Sequence, residues 1–144
     1  MTVLVGYDGH PRSDAALDRA IAAAREAHEK LVVLAVFELP LDPEGPRNYG
    51  TLDDSAPQAG PLAEPPELEP VFTRARARVE AGAAKADYIW AVGDPADSIV
   101  ETARERDASL VVLGAHEHSF FGRLVGNDVA EEVRGRVDCE VVAV

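Results

Sequence analysis

Apolar residues in this chain fall into five short, nearly unbroken runs: TVLVGY at 2–7, KLVVLAVF at 30–37, ADYIWAVG at 86–93, SLVVLG at 109–114 and CEVVAV at 139–144. Each is too short for a stable helix, and several end in glycine or an acid-glycine pair. That is the pattern of a strand covered on both faces within a parallel sheet. Between the runs the spacing becomes helical. Ala16, Leu17, Ala20, Ala23 and Ala24 predict an alanine-faced helix over about 12–29, with Ser13 or Asp14 as its cap. A second helix is expected from about Glu67 to Ala83, with Gly82 near its end. Pro95 suits the first turn of a third, whose Ile99, Val100 and Ala103 share one face. A fourth begins near Asp128 with VAEEVRGRV.

Strands alternating with helices imply right-handed crossovers and an open, doubly wound α/β sheet of five parallel strands. One stretch breaks the alternation. Residues 38–70 carry eight of the 10 prolines and no long apolar period, and are expected to form a long loop or insert in a single domain spanning residues 1–144. In such a sheet, ligands bind beyond the carboxyl ends of the strands. The candidate site therefore lies where Asp8 and Gly114 follow the first and fourth runs.

Charge narrows the partners. Asp and Glu number 26 against 14 Lys and Arg, a formal net charge of -12, which disfavours nucleic acid and anionic membranes. Arg74 and Arg78 share a helix face with Glu67 and Glu80 nearby, so a solvated ion-pair surface is expected there. No run approaches the length of a membrane span and no basic, apolar leader opens the chain, so the expected location is cytoplasmic. Cys139 is the single cysteine and is expected to be a buried small side chain.

Catalytic machinery is not evident. There is no GxSxG elbow and no Walker A loop, and no catalytic residue is assigned. His10, His116 and His118 follow the first and fourth strands and, with Asp8 or Glu117, offer an alternative divalent-metal site. The HExxH spacing of a zinc hydrolase is missing, so that site is not adopted.

The segments VLVGYDGHPRSDAAL, GDPADSIVETARERDASLVVLGAH and DVAEEV, in this order and spacing, resemble the universal stress protein family. The resemblance implies strand order 3-2-1-4-5, with the last strand on an edge and a homodimer through residues 139–144. It also implies a stress-response role with an unidentified protein partner, and an ATP or AMP site. Asp8 would lie beside the adenine or ribose, and Val36 at the adenine wall. Leu113, Gly114, His116, Glu117, Gly126, Asn127, Asp128 and Val129 would line the rest.

The family's nucleotide-binding members carry a glycine, two residues, a second glycine, nine residues, then glycine and a hydroxyl residue. Here Gly114 is followed at those positions by Glu117, Asn127 and Asp128, and Gly126 is one residue early. A phosphate loop needs glycines that let backbone N–H groups approach closely. A carboxylate about 4 Å from a phosphate oxygen instead repels it by roughly 4 kcal/mol at an effective dielectric near 20. The expected function is a non-enzymatic regulatory module with weak or lost ATP binding and no committed cofactor. The alternative is a nucleotide switch that uses Gly126 in a shifted loop.

Overall fold

The computed structural model describes residues 1–37, 66–114 and 129–144. Five strands run in parallel: β1 (Thr2–Gly6), β2 (Lys30–Phe37), β3 (Ala86–Val92), β4 (Ala108–Leu113) and β5 (Glu140–Ala143). Their order is β3-β2-β1-β4-β5, as expected. The order in which strands are added reverses between β1 and β4, so the carboxyl ends of these two strands frame the crevice of the fold.

Helices cover both faces. α1 (Pro11–Ala27) and α2 (Glu69–Ala81) pack over Val3, Val5, Leu31, Val33 and Val112. α3 (Pro95–Glu105) and α4 (Val129–Arg134) pack over Leu4, Val32, Leu34, Val111 and Leu113 on the other. Successive residues of one strand enter opposite layers, which is why the runs are unbroken rather than alternating. A third cluster, Ala35, Leu68 and Phe72, extends the first layer, with Tyr88 and Trp90 packed against it. Both aromatics thus face a helix, as expected. The Phe72 and Tyr88 rings meet edge-on at 6.1 Å.

The helix ends show where sequence signals acted and where packing overrode them. Asp94 caps α3, its carboxylate accepting from the Asp97 amide at 3.0 Å, with Pro95 in the first turn. α1 has no such cap. Its N-cap is His10, which makes no side-chain cap bond, and Ser13 and Asp14 lie buried inside the first turn. Pro11 holds the opening turn instead and brings no N–H in need of an acceptor. The helix expected from about Glu67 opens there, a 3-10 turn at Pro66–Leu68 leading into α2, so residues 66–70 at the end of the expected proline-rich insert are helical. Gly82 follows α2 without taking the left-handed conformation, which falls on Ala83 at φ 54°. Its role is steric, since a Cβ there would stand 2.8 Å from Ile21 Cγ2 and push α2 away from α1.

Candidate functional site

The crevice is built from the turn between β1 and α1. Asp8 is held by its own loop: Oδ1 accepts from the His10 amide at 2.9 Å and from the Ser13 hydroxyl at 2.7 Å, and Ser13 Oγ also faces the Asp8 amide at 3.3 Å. This is an Asx-type turn closed back onto the first turn of the helix. Oδ2 differs. It is fully buried and, among the described residues, takes no hydrogen bond, with His10 Nδ1 3.1 Å away.

Gly114 closes the other side. A Cβ on it would stand 3.1 Å from the Arg12 carbonyl carbon and oxygen and 3.2 Å from the Ser13 nitrogen. The end of β4 therefore lies directly on the helix turn that grips Asp8, so the expected pair of Asp8 and Gly114 is brought together through Ser13. An open cleft of ≈ 800 Å³ runs from Asp8 and Gly9 to Val71, Thr73 and Arg74 of α2.

Beneath the turn is a buried polar group that the sequence reading missed. Tyr7 is 0% exposed, and its hydroxyl donates to Asp14 Oδ1 at 2.5 Å. Arg74 of α2 makes a two-point contact with the same carboxylate, Nε to Oδ1 at 3.1 Å and Nη2 to Oδ2. Burial pushes the Asp14 carboxyl up, but the donors Arg74 and Tyr7 and the nearby Arg78 charge outweigh it and hold the group below its ordinary value. Tyr7 is pushed up, first by burial and then by its bond to the Asp14 anion.

Arg78 pairs with Asp18, Nη2 to Oδ2 at 2.6 Å. The expected ion-pair surface within α2, using Glu67 and Glu80, is thus replaced by a ladder between helices. Acids four apart on α1 meet arginines four apart on α2, since these residues face each other across the helix pair. The signal was available: Asp14 shares the buried stripe of α1 with Leu17 and Ile21, and a carboxylate in an apolar stripe needs partners from another element.

The remaining expected contacts divide. Val36 is half-buried against the α3/α4 layer. Leu113 and Val129 are 2% and 9% exposed, so their side chains belong to the core. His116, Glu117, Gly126, Asn127 and Asp128 lie outside the described residues, as does His118 of the histidine-based alternative. Among the described residues, no group of three or more His, Cys, Asp or Glu side chains is placed to hold a metal ion. No helix among them is long and apolar enough to cross a membrane. Cys139 is partly buried beside β5, and desolvation pushes its thiol pKa up.

Known proteins of similar sequence and fold point one way. The chain is 24% identical over 161 residues to the stress response protein NhaX of Bacillus subtilis (strain 168), covering 99% of this chain and 96% of that one. The structure superposes with a TM-score of 0.69 on a universal stress protein in complex with cAMP, 28% identical, covering 100% of this chain and 96% of that one. A universal stress protein from Archaeoglobus fulgidus in complex with dAMP shares the fold, with a TM-score of 0.66 at 21% identity, covering 99% of this chain and 96% of the other. A sequence model of the universal stress protein family matches residues 1–144, so the chain belongs to that family.

Proposed function

We propose that this universal stress protein is a non-enzymatic regulatory module whose crevice receives the nucleoside end of an adenine nucleotide through Asp8, while triphosphate binding is weak or lost. One observation carries the nucleoside part. Among the described residues, Asp8 Oδ2 is a buried acceptor without a hydrogen bond, beside an open cleft. A buried acceptor left unsatisfied is costly, and a ribose hydroxyl or an amino group would supply the missing donor. The similarity to a protein solved with cAMP supports the same reading.

Two features argue against a polyphosphate. The donors at the start of α1 that an anion would use, the His10 amide and the Ser13 hydroxyl, are already turned onto Asp8 Oδ1. The sequence also puts Glu117 and Asp128 where nucleotide-binding members have a glycine and a hydroxyl residue. Added to a net charge of -12, these acids oppose a polyanion.

The output of such a module is contact with another protein, from the cytoplasm, as a homodimer paired along β5. The sheet order supports the dimer because it leaves β5 on an edge, where open backbone groups can pair with a second copy. Calorimetric titration tests the nucleotide reading. ATP with Mg²⁺ is expected to bind no tighter than about millimolar, equivalent to roughly 4 kcal/mol. Glu117→Gly combined with Asp128→Ser is expected to tighten it at least tenfold. Micromolar ATP affinity in the unmodified chain would overturn the weak-binding reading in favour of a nucleotide switch.

A further inference from the structure

Tyr7 and Asp14 stand at the two ends of the turn that carries Asp8, and their side chains are bonded to each other at 2.5 Å. The bond is a staple across that turn. Arg74 anchors the staple to α2 through its two-point contact with Asp14. Ser13, the neighbour of Asp14 in the same helical turn, is the residue whose hydroxyl grips Asp8 Oδ1. The Asp14 amide donates to the His10 carbonyl at 2.9 Å, and the Ser13 hydroxyl lies 2.9 Å from the same oxygen. Among the described residues, the contacts of the Asp8 carboxylate end on Ser13 of the helical turn that Tyr7 and Arg74 hold in place and on His10, the N-cap bonded to that turn.

We propose that Asp14, held between Tyr7 and Arg74, is a positioning residue that fixes the direction of Asp8 Oδ2 and thereby sets the affinity of the crevice for its ligand. The inference rests on the reading that Asp8 receives the nucleoside. Tyr7 and Asp14 are 0% and 6% exposed, so neither hydroxyl nor carboxylate is placed to touch a ligand in the cleft. Two paths lead from Asp14 to a ligand, one through Asp8 and one through Arg74, which lines the same cleft, and the His10 amide reads the Asp8 path alone.

Tyr7→Phe isolates the staple, because Asp14 keeps its arginine partner and the ring keeps its place in the core. Asp8→Ala gives the reference for complete loss. Two quantities are read: AMP affinity by titration, and the amide proton resonance of His10, which is shifted by its bond to Asp8 Oδ1. Tyr7→Phe is expected to weaken AMP at least fivefold and to move the His10 amide at least halfway toward its Asp8→Ala position. The amides of Leu4 and Val112 in the sheet are expected to stay fixed, which a general loosening of the fold would not allow. Asp14→Asn is expected to act in the same direction, and further. If Tyr7→Phe leaves the His10 resonance where it was, the positioning role is refuted, whatever happens to AMP. If AMP fails to bind the unmodified protein, the nucleoside reading falls, and the His10 resonance still decides the staple.

Discussion

Replacing Asp14 with alanine removes the acceptor of a hydroxyl that has no route to water. Tyr7 is 0% exposed, and its hydroxyl donates to Asp14. A buried donor left without an acceptor costs about 1–3 kcal/mol. The Arg74 side chain is 51% exposed, so water takes over its lost bonds and it adds little to the penalty. Asp14→Ala is therefore expected to destabilise by about 2 kcal/mol, near 6 °C in Tm for a domain of this size. Tyr7→Phe alone costs about 1–2 kcal/mol, since it removes one bond to a carboxylate that keeps others. In the double variant the orphaned hydroxyl is gone. Its loss is expected to fall short of the sum of the singles by about 1–2 kcal/mol. Urea unfolding followed by the fluorescence of Trp90, the single tryptophan, measures all three variants. Additivity within about 0.3 kcal/mol would mean that hydroxyl and carboxylate do not interact, and would refute the buried network.

Acid sensitivity tests the same carboxylate from another side. Asp14 ionises more readily in the folded chain than its ordinary value of 3.8, so its contribution to stability is complete above that pH and is lost as pH falls through the lower folded value. Asp14→Asn is expected to flatten the fall of the urea midpoint below about pH 4, and an unchanged slope would contradict the assignment. Gly114→Ala places a methyl group 3.1 Å from the Arg12 backbone. The turn must yield by a few tenths of an ångström, and a loss of about 1–3 kcal/mol in urea unfolding is expected. A neutral result would show that the end of β4 does not press on α1.

Much of the fold was legible because its physics is local. A run such as LVVLAV, set between helical stretches, fits a strand buried on both faces of a parallel sheet, and an alanine-faced stretch such as 16–24 declares a helix that lies close against it. The start of α3 at Pro95 follows from a fixed φ that the residue itself supplies, while the Asp94 cap beside it, equally local, was not read from the sequence. Asp8 and Gly114 were singled out for the same reason: each ends a strand, and the doubly wound topology opens its crevice there.

What the sequence could not decide depended on which elements lie side by side. The arginines of α2 looked like partners for acids on their own helix, but α2 lies against α1, and Asp14 and Asp18 took them across that contact. Asp14 looked like a helix cap. Burial beside Tyr7 made it the centre of a three-residue polar group, because a carboxylate in an apolar layer is tolerable only when other elements supply its donors. Gly82 looked like a helix terminator, and proximity to Ile21 made it a spacer. Local chemistry thus set the elements and their order, while the direction of Asp8 and the pairing of charges arose only when two helices and a strand end shared one buried volume.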